Sequence, residues 1–377
     1  MDAPGDRLLR WCLTVGYAHQ EPGALVSGFV RAAQDSGVPI DRLMLTLRTL
    51  HPQLAAVGWS WEGDAFTEAR YRRAGRDSAP YRSSPVRPIL EGEATQIRVA
   101  LRGDAADRFP ITRELADRGY TDYLALALAG SDGSPNLLSL ATRAPGGFSD
   151  HHLAVLSDGI IGLRAVVSRH QVRMIAENIC TTYIGPYTGL RVLRGEIERG
   201  AIERLRAAVW FSDIRQFTAQ AQALGTTKTV ALLNTYFGVI GDAVEASGGE
   251  ILKFIGDAAL AVFPVVGCGD QDACDRALAA AHRARQDMAA ASDLRFGVGL
   301  HLGELAYGNI GARQRLDFTV IGSTVNLASR LESLCGALGA PLLTSARFAA
   351  ACSAPLVSLG THAVKGVAEP VEVFQPT

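Results

Sequence analysis

Two aspartates stand where a chain can hold a metal ion in a fixed place. Asp257 follows Gly256 between two apolar runs of strand length, Ile251 to Phe254 and Ala259 to Phe263. A Gly-Asp pair between such runs reads as a hairpin turn and puts the carboxylate on its tip. Asp213 closes the run Ala207-Ala208-Val209-Trp210-Phe211-Ser212, which reads as a buried strand, and Ile214-Arg215-Gln216-Phe217-Thr218 then opens a helical pattern. A strand leading into a helix N-terminus offers free backbone N–H groups to a phosphate, beside a carboxylate for the phosphate's metal. Taken singly, a capping aspartate and a turn aspartate account for both residues. Asn326 and Arg330 lie four residues apart on one predicted helix, so they share a face and can reach one substrate; read alone, they are a solvated face.

The stretches Phe211 to Thr218, Leu252 to Asp257 and Asp317 to Arg330, in that order, resemble the class III adenylyl/guanylyl cyclase catalytic domain, from about Arg206 to Phe374. The resemblance implies attack of the ribose 3′-oxygen of ATP on its own α-phosphorus, which closes a cyclic ester and expels pyrophosphate. That reaction needs charge neutralisation more than covalent chemistry. By the same resemblance, two Mg²⁺ or Mn²⁺ ions per site are held by Asp213 and Asp257, with Ile214 beside them, and oxygen ligands suit these metals. Asn326 then orients the ribose and Arg330 meets the charge developing at phosphorus, where a forked guanidinium fits well. Lys365 matches a lysine that contacts the triphosphate, and Phe217 and Thr218 fall among the substrate-binding positions. Lys253 and Thr319 match the purine-reading positions: a lysine donor suits adenine N1 and a threonine can accept from the 6-amino group, so ATP is expected over GTP. Two departures are visible, Gln216 where many members have Gly and Ser323 where many have Asp. In this family the metal aspartates and the Lys, Thr, Asn and Arg come from different subunits, which implies a homodimer.

The 377 residues allow two ordinary domains, and a net charge of −1 gives no electrostatic case for nucleic acid or an acidic membrane surface. The six cysteines form no CxxC pair, so neither a zinc site nor a disulfide framework is suggested. No apolar run approaches the roughly 18 residues of a membrane span, and the N-terminal charge order is wrong for a signal peptide; a cytoplasmic protein is expected.

The fold class expected is α+β: a sensor domain over 1–148, a closing helix and transducer linker over 149–200, and a ferredoxin-like catalytic domain over 201–377. In the first part, two helices separated by Glu21-Pro22-Gly23 precede strands at 43–48, 57–61, 96–101, 123–129 and 136–142, with 72–88 as an irregular loop. This order, and the stretch Arg143 to Leu156, resemble a GAF-type sensor, which implies an unidentified small-molecule ligand without assigning any residue to it. His151-His152 reads as a metal or haem pair or as solvated surface, and Trp59 and Trp61 as a ligand pocket or as core. Ser149 or Asp150 caps a long helix reaching Tyr183, whose Leu153, Leu156, Ile160, Leu163, Val167 and Met174 form either a dimer seam or a face packed on its own domain. Gly189 to Gly200 reads as a turn-rich element.

Three readings compete: an adenylate cyclase or guanylate cyclase, a nucleotide-binding regulator without turnover, and a diguanylate cyclase. The last lacks its Gly-Gly-[Asp/Glu]-Glu-Phe signature here.

Overall fold

The computed structural model describes the chain except residues 1–2, 64, 131–132, 266, 268 and 368 and the side chains of 76 and 77. It divides into two compact units, Met1–Ile179 and Cys180–Thr377.

In the first unit, α1 (Pro4–Trp11), a π turn (Cys12–Gly16) and α2 (Pro22–Asp35) precede a six-stranded antiparallel sheet. Its strands are β1 (Arg42–Arg48), β2 (Leu54–Glu62), β3 (Ala65–Arg72), β4 (Gln96–Ala100), β5 (Asp122–Ala129) and β6 (Pro135–Thr142), in the order β3-β2-β1-β6-β5-β4. Between β3 and β4 stand the short helices α3 (Ala79–Arg82) and α4 (Val86–Leu90), where the sequence suggests irregular loop; α5 (Pro110–Asp117) follows β4. Strand alternation sends Leu43, Leu45 and Leu47 to one face, where Leu8, Phe29, Leu156 and Val167 of the helices bury them. The other face carries a second core of Ile97, Val99, Leu115, Tyr120 and Tyr123.

The long helix α6 (Asp150–Ile184) opens as expected: Ser149 Oγ accepts from His152 N–H at 3.2 Å, and Ser149 N–H donates to His152 Nδ1 at 3.1 Å. His152 is thereby occupied as a cap. The apolar positions of this helix from Leu153 to Met174 turn inward onto their own unit's core, so the own-domain reading of that face replaces the dimer seam. Its opposite face leaves Ile161, Val172 and Ile179 exposed. Trp59 is buried in the same core and donates to Glu68 at 3.1 Å, so it packs as core.

In the second unit, α7 (Pro186–Leu193) is helical where the sequence suggests turns, and it follows Gly185 directly. Then come β7 (Ile202–Ile214), α8 (Phe217–Leu224), α9 (Thr226–Ala246), β8 (Glu250–Ile255), β9 (Ala258–Pro264) and α10 (Gly269–Ala291). After these run β10 (Phe296–Gly311), β11 (Leu316–Ile321), α11 (Ser323–Leu338), β12 (Leu342–Ser345), α12 (Ala346–Ala351), β13 (Leu356–His362) and β14 (Val371–Pro376). The sheet order is β13-β14-β12-β10-β7-β9-β8 with β11 on β10, and among the described residues only β10 with β12 runs parallel. Two local expectations shift. Residues 296–311 form one continuous strand, where the sequence suggests a strand from Phe296 to His301 and then a glycine-punctuated turn and strand from Gly303 to Gly311. Val230, which its spacing groups with Leu233, Tyr236, Phe237 and Ile240 as the apolar face of α9, is exposed. The buried face of α9 is Tyr236, Ile240, Ala243 and Val244 against Ala273, Ala277 and Ala281 of α10, whose small side chains let the two helices approach closely.

Candidate active site

The central strand β7 carries Asp213 to one end of the sheet. There its backbone pairs with Ala258 of β9 on one side and Gly297 of β10 on the other. The β8–β9 turn closes beside it: Ile255 pairs with Ala258, and Gly256 takes φ 65, a left-handed conformation that a residue without Cβ adopts freely. Asp257 follows in the turn and hydrogen-bonds with Asp213.

Burial pushes the Asp213 carboxyl up to about 7, with the hydrogen bond to Asp257, that neighbour's charge and the charge of Glu332 adding to it. Asp213 Oδ1 is buried with no hydrogen-bond partner. A pair of facing carboxylates, one with an orphaned oxygen, is a donor set that a hard divalent cation would satisfy. Among the described residues, no group of three or more His, Cys, Asp and Glu side chains converges on one point.

Beneath Asp213, Ser212 is fully buried and accepts from Trp210 Nε1 at 2.9 Å and Tyr236 Oη at 2.8 Å, which pins the strand end. Beside it, Arg215 meets the buried Glu332 of α11 at 3.0 Å and donates to the Glu332 carbonyl at 3.2 Å. A Cβ on Gly297 would overlap the Arg215 guanidinium, so the bare glycine leaves room for this ion pair where it stands. Neither Arg215 nor Glu332 follows from local pattern; their meeting joins residues 117 apart.

Ile214 is buried at the strand end, Phe217 packs on the core at the start of α8, and Thr218 is exposed. The helix begins at Phe217, not at Ile214. Gln216 takes φ 57, the only non-glycine with positive φ among the described residues, which is a physical reason for glycine to be favoured at that position.

The other predicted residues stand apart from this pair. Lys253 of β8 ion-pairs with Asp317 of β11, two residues before Thr319 and so on the same face of that strand. Lys253 and Asp317 border a cleft of about 740 Å³ that Asp213 and Asp257 do not line. Asn326 is exposed and Arg330 half-buried on α11, whereas Thr324, Ala328, Leu331, Glu332 and Cys335 form the buried side of that helix. Asn326 therefore faces away from the sheet that carries Asp213. Lys365 is exposed in a turn.

Glu250, the first residue of β8, points to another element. Its Oε1 accepts from Tyr187 N–H at 3.1 Å and Thr188 N–H at 3.5 Å and so caps the N-terminus of α7. Burial raises the Glu250 carboxyl. Thr188 also hydrogen-bonds Tyr307 of β10, and Arg191 pairs with Glu203 at 2.7 Å while lying 5.4 Å from the Phe318 ring centroid. The strands bearing Lys253 and Thr319 are thus tied to α7.

Residues 203–366 match the model of the adenylate and guanylate cyclase catalytic domain. An adenylate cyclase of Anabaena cylindrica is 35% identical over 160 residues, which is 39% of this chain and 31% of that protein. Adenylate cyclase 1 of Rhizobium meliloti is 31% identical over 204 residues, 50% of this chain and 31% of that one. The adenylyl cyclase CyaB from P. aeruginosa superposes with TM-score 0.41 at 30% identity, over 47% of this chain and 96% of that one. The second unit thus carries a class III nucleotide cyclase catalytic domain with a ferredoxin-like mixed α/β fold. This chain matches about a third of the length of those curated relatives. No described helix is long and apolar enough to cross a membrane.

Proposed function

We propose that this protein is an adenylate cyclase that converts ATP to 3′,5′-cyclic AMP and pyrophosphate at sites shared between two copies of the chain. The observation that carries the reading is the facing pair of Asp213 and Asp257, with the buried, unpartnered Oδ1 of Asp213. The matched domain is that of metal-dependent cyclases, and the donor set fits Mg²⁺ or Mn²⁺. Bound there, such ions supply activation of the 3′-hydroxyl and neutralisation of the triphosphate. Asp213 and Asp257 hold the cations, and the first turn of α8, with Phe217 and Thr218, presents backbone N–H groups toward phosphate. Lys253 donates to adenine N1, Thr319 accepts from the 6-amino group, Asn326 orients the ribose, and Arg330 with Lys365 meets charge on the phosphates.

The outward placement of Asn326, and the separation of Lys253 from the aspartates, support a homodimer in which each chain completes the other's site. Exposed Phe254, Ile255 and Ile321 beside these residues give such an interface apolar surface. On this reading, residues 1–148 form a GAF-like sensor in a cytoplasmic protein, 149–200 a transducing linker and 201–377 the catalytic domain.

A second reading, guanylate cyclase, is favoured by Asp317. A carboxylate beside Lys253 is the acceptor that the guanine N1–H and 2-amino group need. Incubating the pure protein with ATP or GTP and Mn²⁺ or Mg²⁺ and identifying the product separates the two. Cyclic AMP from ATP is expected, with activity returning when inactive Asp213→Ala and Arg330→Ala chains are mixed. Cyclic GMP as the main product overturns the substrate, and no recovery after proven subunit exchange overturns the shared site.

A further inference from the structure

The face of the six-stranded sheet that bears the second core is only partly filled. Around β4, β5 and α5 it is packed, but over β1 and β2 it leaves a cavity of about 470 Å³, walled by the segment carrying α3 and α4. That volume is in the range of small-molecule sites. Strand alternation sets its floor: Arg42, Met44, Thr46 and Arg48 face the cavity while Leu43, Leu45 and Leu47 face the core.

Thr46 is 4% exposed, and its Oγ1 has no hydrogen-bond partner. A buried hydroxyl left this way points to a ligand atom that completes it. Opposite Thr46 in the β1–β2 register stands Gly58. A Cβ on Gly58 would come within 2.9 Å of the Tyr71 ring and 3.2 Å of Thr46 Oγ1, so the bare glycine lets Tyr71 lie on the sheet beside that hydroxyl.

The charge of the lining has one sign. Arg42, Arg48, Arg70 and Arg72 border the cavity, and no acidic residue does among the described ones. The Arg42 side chain is 15% exposed, and its one ion pair among the described residues, to Glu62, is long at 3.7 Å. Glu62 is itself bonded to Tyr120 at 2.6 Å and ion-paired with Arg118, which leaves Arg42 donors to spare. Arg48 is half-buried and makes no ion pair with a described residue, whereas Arg70 and Arg72 are exposed at the rim. The remaining walls are mainly apolar or aromatic, including Met44, Pro80, Tyr71 and Tyr123, with the hydroxyls of Ser78, Ser84 and Ser139 among them.

We propose that this cavity is a binding site for a flat aromatic monoanion of one or two rings, its carboxylate taken by the Arg48 guanidinium and the Thr46 hydroxyl two residues before it on the same strand face, and its rings against Tyr71. A half-buried guanidinium beside a buried hydroxyl that lacks a partner matches a single carboxylate, Arg42 adds positive charge at the other end of β1, and the rim pair steers anions inward. The inference does not depend on the catalytic reading.

The test is calorimetric titration of the whole chain with 1-naphthoate and with its neutral counterpart 1-naphthamide. Naphthoate should bind, with the amide weaker by about tenfold or more. Arg48→Gln should remove most of that preference, and Thr46→Val should weaken naphthoate while leaving the preference in place. Arg48 is partly solvated, so its variant is expected to fold even if the Thr46 variant does not. Absence of naphthoate binding up to about 1 mM, equal binding of acid and amide, or unchanged affinity and preference in Arg48→Gln each overturns the proposal.

Discussion

Replacing Asp213 with Asn should stabilise the metal-free catalytic unit while removing its response to metal. The folded state raises this carboxyl from 3.8 to about 7, with burial as the leading cause and the Asp257 partner next. A raised acid carries no penalty below its unfolded value, and the penalty for ionising it in the fold grows as pH climbs from about 4 to about 7. At about 1.4 kcal/mol per unit the ceiling is roughly 4 kcal/mol, and because Asp213 is only half-buried, solvent screening reduces this to about 2 kcal/mol. For a unit of this size that is about 4–8 °C in melting temperature. Thermal unfolding of both proteins in chelator should therefore show Asp213→Asn melting higher at pH 8, with the gap closing toward pH 4. Adding Mn²⁺ at pH 8 should raise the wild-type transition and leave the variant nearly unmoved, and turnover of the variant should fall by about 100-fold or more. A gap that is the same at both pH values, or Mn²⁺ stabilising both proteins equally, refutes the assignment of Asp213 to a cation site.

Gln216→Gly should relieve the positive φ and raise stability by about 1 kcal/mol, read as a shift in the denaturation midpoint of the catalytic unit. His301 is buried with Nδ1 2.6 Å from Ser345 Oγ, and burial lowers its titration from 6.5 to about 4. Stability from this residue is present above about 6.5 and lost as pH falls through about 4, up to about 3 kcal/mol, so urea midpoints should drop across that window and His301→Gln should flatten the drop. Glu250→Ala should uncap α7 at a cost of about 1–2 kcal/mol, and, because β8 also bears Lys253, it should raise KM for the nucleotide more than it lowers kcat.

Much of the site is written locally. The Gly256-Asp257 turn, the apolar strand ending at Asp213 and the i, i+4 spacing of Asn326 and Arg330 are all set by residues within a few positions of one another, where backbone propensity and period decide the outcome. The apolar stripe of α6 from Leu153 to Met174 was legible in this way, but whether it packs on its own unit or on a second copy was not. That helix carries apolar residues on two sides, one containing Leu156, Leu163 and Val167 and another containing Ile161, Val172 and Ile179, and only packing against α1, α2 and β1 selects the first.

Distance along the chain hides the rest. Glu332 meets Arg215, Glu250 meets Tyr187 N–H and Asp317 meets Lys253 across 117, 63 and 64 residues, and no periodicity links such partners. The cavity over Thr46 has the same origin, since a threonine alternating with leucines reads as an ordinary half-buried strand until α3 and α4 wall it in. By itself the sequence determined which residues end strands, turn hairpins and share helix faces, because those depend on neighbours in the chain. Tertiary structure alone decided which carboxylates face each other, which cation each one meets and which buried oxygen is left without a partner, because burial and charge depend on neighbours in space.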